Sequence, residues 1–178
     1  MKFTETELAD AFVVESDRHV DARGYFARAY CRKEFAEGGL DPDIAQCGIS
    51  FNAQRGTLRG LHFQTSPHEE VKLVRCLRGS VLDVLVDLRP DSSTYCRWTA
   101  VTLSDQSDIA IYIPKGFAHG FQTLEDDSLL YYQISEFHHP ESARGVRWND
   151  PLFKIDWPLE PTVMSDRDRN YRDFQQSE

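Results

Sequence analysis

The dominant signal along the chain is a succession of short apolar runs broken by turn residues. Candidate strands occupy residues 12–15, 25–30, 44–51, 57–64, 71–77, 81–88, 96–103, 109–113, 119–123 and 129–137. β-Branched and aromatic residues fill these runs, and Gly, Pro, Asn, Asp and Ser cluster between them. The stretch VKLVRCLRGSVLDVLVDL predicts a hairpin: two β-branched runs flank Arg78-Gly79, and Gly79 can supply a positive φ in the turn. In the second run, alternation puts Val81, Asp83, Leu85 and Asp87 on one face and Leu82, Val84, Val86 and Leu88 on the other. The wholly apolar face is expected to be core. The face with two carboxylates is expected to meet water or to line a polar cavity, which the inside of a barrel provides.

Helical patterning is sparse. Residues 31–38 (CRKEFAEG) read as one short helix ended by Gly38-Gly39, and Ser165 reads as the cap of a short turn through Asp166-Arg167-Asp168. About ten short strands and so few helices predict a mainly β fold, an antiparallel sandwich or jelly-roll β-barrel with a few short helices. No repeat, low-complexity tract or linker interrupts residues 1–178, so one domain is the economical expectation.

Composition narrows the function classes. A net charge of −9 repels a phosphate backbone, so no nucleic-acid partner is expected, and an anionic substrate would need local arginines. Cys31, Cys47, Cys76 and Cys96 show neither metal-ligand spacing nor a CxxC pattern and read as small buried thiols in a reducing compartment. The MKFTETELAD stretch has no apolar h-region, and no apolar run approaches membrane-spanning length. No signal peptide, no membrane association and a cytoplasmic location are therefore expected.

Candidate chemistry gathers in two segments. GTLRGLHFQ places Arg59, His62 and Gln64 together, with His62 and Gln64 on one strand face. IPKGFAHGF places His119 after a Pro114/Gly116 turn and fits PxGxxH, the second half of a cupin signature. Many cupins hold a metal through an HxH pair, an acidic residue and a second-strand His. Here the first segment reads His62-Phe63-Gln64, and Lys72 stands at roughly the distance of the acidic ligand. An ammonium has no lone pair to give a cation. His68-Glu69-Glu70 offers substitute ligands, but beside Pro67 it reads as a loop. No metal and no cofactor are expected.

Without a metal, such a barrel still offers a base and cations. His62 suits proton transfer near neutral pH, and Lys72 suits stabilisation of developing negative charge. Tyr132 carries a phenol that can give or take a proton, and Asp168 can orient an imidazole. Arg23 and Arg59 each flank a Gly, which leaves room for a phosphate. Taken singly, each has a plainer reading as a structural His, a core aromatic, a solvated charge or a turn residue.

Taken together, DARGYF, GTLRGLHFQ, KLVRCLRGSVLDVLVDLRPDSSTY, IPKGFAHGF, GVRWNDP and IDWP resemble, in that order, the motifs of deoxythymidine-diphosphate-4-dehydrorhamnose 3,5-epimerases. The resemblance runs from about Val13 to Asp168. It implies a cupin-type jelly roll, a homodimer, no metal, and a nucleotide-diphosphate sugar as substrate. By motif position it makes His62 the base, oriented by Asp168, Lys72 the stabiliser of an enolate, and Tyr132 the acid on the opposite face of the sugar. Arg23 and Arg59 would hold the diphosphate, Arg23 reaching in from the partner subunit. Asp83, His119, Gln46, Phe26 and His138 would line the substrate pocket.

Some positions depart from the family pattern. Arg28 stands where many members have Glu, Gly48 where a pocket Asn is common, Gln133 where a Lys follows the acid Tyr, and His138 where an aromatic pair is usual. These positions bear on recognition rather than proton transfer, which leaves the nucleotide and the exact hexose open. Inversion at C3 alone, or a 3,4-ketoisomerase, is the close alternative, and Tyr132 as an acid across the sugar argues against the ketoisomerase. A metal-dependent cupin and a non-catalytic sugar-binding barrel are the alternatives from other classes.

Overall fold

The computed structural model describes residues 1–175. In chain order the elements are β1 (Lys2–Glu5), β2 (Phe12–Glu15), β3 (Arg18–Asp21), β4 (Gly24–Ala27), α1 (Arg32–Glu37), β5 (Gln46–Asn52), β6 (Leu58–Gln64), β7 (Lys72–Arg78), β8 (Ser80–Asp87), β9 (Trp98–Ser104), β10 (Ile109–Ile113), β11 (Phe117–Thr123), β12 (Ser128–Ile134), β13 (Ala143–Gly145) and α2 (Asp166–Arg169). The mainly β jelly-roll expectation holds. A six-stranded sheet in the order β1-β2-β10-β7-β12-β5 faces a five-stranded sheet in the order β13-β6-β11-β8-β9, and the pairings within them are antiparallel. β3 and β4 form a separate hairpin.

The expected hairpin is corrected. The runs either side of Arg78-Gly79 do not pair: β7 lies in the six-stranded sheet and β8 in the five-stranded one. Gly79, at φ +73°, turns the chain from one sheet to the other, and a Cβ there would stand 2.6 Å from Ser128 Oγ. A sheet-to-sheet corner and a hairpin share the same local alternation, so periodicity alone could not separate them. Residues 25–30 were likewise expected to form one strand, but β4 ends at Ala27.

Side-chain alternation explains three cores. Between the sheets, Val74, Ile111, Ile113 and Leu130 of one sheet meet Val81, Leu85, Leu103, Phe117 and Phe121 of the other. Outside the six-stranded sheet, Phe35 of α1 packs with Val14, Leu73, Ala110 and Tyr112. Outside the five-stranded sheet, Val84, Val86 and Ala118 are covered by Val146, Phe153 and Trp157 from the C-terminal segment. Both faces of β8 are therefore covered: the apolar face lies under that segment, and the carboxylate-bearing face points into the barrel. The cysteine expectation holds for Cys76, which is buried, and fails for Cys47, which is exposed on the outward face of edge strand β5. No helix among the described residues is long and apolar enough to cross a membrane.

A bulge in β6 sets the site. β11 pairs His119 with His62 but Phe121 with Arg59, so β6 carries one residue more than its partner over this stretch. Strict alternation would send Arg59 and His62 to opposite faces; the bulge lets both face the barrel interior, while Leu61 joins the outer core. Gly60, at φ +122°, makes this possible, since a Cβ there would lie 2.5 Å from Gly120 Cα.

Candidate active site

The mouth of the barrel holds a cavity of about 330 Å³ lined by Arg59, His62, Lys72, His119, Tyr132, Gly48, Ile49, Gly120, Phe121 and Ile134. That volume lies within the range of small-molecule sites. The five-stranded sheet contributes His62 and His119, and the six-stranded sheet contributes Lys72 and Tyr132.

His62 Nε2 lies 2.7 Å from Asp168 Oδ1. The two are far apart in sequence, and α2 delivers the carboxylate. Ser165 caps this helix as expected, accepting from Asp168 N–H at 3.1 Å. The other oxygen of Asp168 accepts from Gly60 N–H at 3.2 Å. Burial pushes the Asp168 carboxyl up, but the hydrogen bond and charge of His62 and the Gly60 N–H outweigh it and hold the group below the usual carboxylate range. With Nε2–H donated to Asp168, Nδ1 of His62 keeps the lone pair that a base needs. The Tyr171 ring backs the imidazole edge-on, with centroids 6.1 Å apart, and Gly145 leaves room for that ring.

Inside the barrel a second imidazole–carboxylate pair is almost wholly buried. His119 Nε2 lies 2.9 Å from each oxygen of Asp83, and the His119 and Tyr132 rings meet edge-on at 6.0 Å. Burial first, then the Asp83 carboxylate, push the Tyr132 phenol well above its ordinary value, against a lowering by Arg59. Tyr132 thus stays a phenol, the form that donates a proton. Lys72 Nζ pairs with Glu70 Oε1 at 2.8 Å and donates to the His62 carbonyl at 3.3 Å. Arg59 Nε donates to Asn52 Oδ1 at 2.7 Å.

The cavity thus brings together His62, Lys72, Tyr132, His119 and Arg59, with Asp168 and Asp83 bonded to the two imidazoles. It does not gather Arg23, Phe26, Gln46 or His138 from its own chain. Arg23 sits in the exposed β3–β4 turn and pairs with Asp21 at 2.5 Å. Phe26, on the same hairpin, is 65% exposed. Gln46 starts β5, and its side chain donates to the Glu136 carbonyl. His138 lies exposed in the segment after β12. Three groups around the cavity lie outside the sequence reading: Asn52 against Arg59, Tyr171 against His62, and Glu70 as the partner of Lys72. A carboxylate two residues from a lysine on a strand end is the signal that was available for Glu70.

The family model for dTDP-4-dehydrorhamnose 3,5-epimerase matches residues 5–176 of this chain. The chain belongs to the dTDP-4-dehydrorhamnose 3,5-epimerase family. An epimerase of this name from Methanothermobacter thermautotrophicus is 42% identical, over 99% of this chain and 96% of its own length. The crystal structure of the Bacillus anthracis member of the epimerase family, with TDP and PPi bound, superposes with a TM-score of 0.94 at 37% identity, covering 97% of this chain and 99% of that one. A 3′-monoepimerase from Streptomyces bikiniensis, in complex with dTDP-quinovose, shares the fold with a TM-score of 0.87 at 33% identity, covering 94% of this chain and 85% of that one.

Proposed function

We propose that this chain is an isomerase that inverts C3 and C5 of a nucleotide-diphosphate 4-keto-6-deoxyhexose, of the dTDP-4-dehydro-6-deoxyglucose type, by proton transfer without a cofactor. One observation carries the reading: an oriented imidazole on one sheet and a desolvated phenol on the other share a cavity with an ammonium. C3–H and C5–H both lie beside the C4 ketone. Removing either proton gives an enolate with its charge on O4. His62, held by Asp168, takes the proton. Lys72, kept in place by Glu70, stabilises the charge on O4. Tyr132 returns a proton from the opposite wall, which is what inversion requires. Asp83 and His119 lie beneath Tyr132 and complete the polar floor. Arg59 holds the diphosphate.

Incubation with dTDP-4-dehydro-6-deoxyglucose in D₂O, followed by NMR, tests this reading. Deuterium at both C3 and C5, with both centres inverted, is expected. Exchange confined to C3 would assign the chain to the monoepimerase type. The absence of exchange on deoxythymidine, cytidine and guanosine diphosphate sugars alike would overturn the reading.

The active form is proposed to be a homodimer. Arg23 and Phe26 project on the exposed β3–β4 hairpin rather than into their own cavity, a position from which they can reach a neighbouring chain's site. The outward face of edge strand β5 also exposes Ile49 and Phe51, an apolar stripe suited to burial against a second copy. Sedimentation should give a dimer that dissociates when Ile49 and Phe51 are replaced by Lys. A fully active monomer would contradict this.

A further inference from the structure

Beyond the cavity, the 65–71 loop between β6 and β7 meets the 135–142 segment between β12 and β13. Buried Gln64 spends its whole side-chain amide on joining them. Its Nε2 donates to the carbonyls of His68 at 2.9 Å and Phe137 at 3.0 Å, and its Oε1 accepts from His139 N–H at 2.6 Å. On this clamp the rings of His68 and His139 stack, with centroids 3.5 Å apart and planes 12° from parallel. Glu141 Oε1 holds His139 Nδ1 at 3.2 Å. That leaves His139 Nε2 facing Glu136 Oε1 at 3.8 Å, beyond hydrogen-bond length. One donor atom from each of His68, Glu136 and His139 lies within 4.8 Å of the other two.

We propose that His68, Glu136 and His139 form a site for a divalent transition ion of the zinc class, distinct from the sugar cavity. Two imidazoles and one carboxylate are a ligand set that suits zinc and leaves a fourth position for water. The backbone that carries the ligands is organised in advance, because the Gln64 amide joins both loops. Glu141 occupies the far nitrogen of His139, the second-layer contact that orients metal-bound histidines and raises their basicity. Tetrahedral coordination with bonds of about 2.0–2.1 Å places donors about 3.3 Å apart, so binding closes the 3.8 Å Glu136–His139 gap by about half an ångström and turns the two stacked rings apart until both lone pairs meet at one ion. With neutral imidazoles, Glu136 and Glu141 give the site a net negative charge, and its three ligands are only partly buried, which leaves an entry path. A bound ion would tie the segment entering β7 at Lys72 to the segment leaving β12 at Ile134. It would stiffen this end of the barrel and take no part in proton transfer.

Calorimetric titration of the metal-stripped full chain with Zn(II) alone tests the site. One Zn(II) per chain is expected, with a rise in melting temperature that follows the Zn(II) concentration. His139→Ala and His68→Ala should abolish both effects in proteins whose circular dichroism matches the wild type. Glu141→Gln, which leaves all three ligands in place, should weaken binding by about tenfold or more. His62→Gln, which removes an imidazole from the sugar cavity, should leave Zn(II) binding unchanged. No binding by the wild type, binding that survives His139→Ala, or binding lost in His62→Gln would each overturn the proposal.

Discussion

Replacing His62 with Gln is expected to lower turnover by about 10²–10⁴-fold, the usual contribution of a positioned base, with little change in KM. The amide still offers an N–H to Asp168 but has no lone pair of suitable basicity for the sugar. Deuterium wash-in at C3 and C5 should fall with turnover, because both protons leave through the same imidazole. The substitution also has a pH signature. In the wild type the Asp168 carboxyl sits below its usual range, so folding favours its ionised form. That stabilisation is fully present above the ordinary carboxylate range and is lost as pH falls through the depressed value. His62→Gln removes the imidazole's charge and leaves burial to push the carboxyl up, so the acid-unfolding midpoint should move to higher pH. Circular dichroism across an acid titration checks this, and kinetics at neutral pH check the rate. A variant with wild-type turnover would remove His62 from the mechanism.

Replacing Tyr132 with Phe should separate exchange from inversion. The ring and its packing against the barrel core remain, while the phenolic proton is lost. His62 can still remove a proton and return it, or a deuteron, to the same face. Solvent exchange should therefore persist with retained configuration, while inversion falls by about 10²–10⁴-fold. Because burial and Asp83 push the phenol well above its ordinary value, the wild type should show no alkaline loss of inversion from Tyr132 below about pH 10. NMR of product configuration and deuterium content in a single incubation reads both quantities. If exchange and inversion fell together, Tyr132 would not be a separate acid.

Much of the barrel was legible because strand alternation is a local property. The alternation in β8 separates the apolar face from the face of Asp83 and leaves water or a polar cavity for the latter; the second sheet packed against it decides for the cavity. What was not legible depends on partners distant in sequence. Whether Arg78-Gly79 is a hairpin or a corner between sheets turns on which strands pair later, and β7 and β8 pair with β10, β12, β11 and β9 instead of each other. The β6 bulge that brings Arg59 and His62 to one face arises where Gly60 meets Gly120, a contact absent from any short window. His62, Lys72 and Tyr132 were named from their chemistry and the resemblance, and the structure places them around one cavity. The loop reading of His68-Glu69-Glu70 holds, but the pairing of Glu70 with buried Lys72 depends on how that loop folds back on the end of β7, which no short window shows.

The two sheets supply the groups that face one another across the cavity, and Val81, Leu85, Leu103, Ile111 and Leu130 fill the space between those sheets. These aliphatic side chains act as the spacer that sets how far the imidazole stands from the phenol. Trimming one of them would alter stereochemical fidelity as well as stability, because a narrower or wider gap favours return of the proton to the face it left.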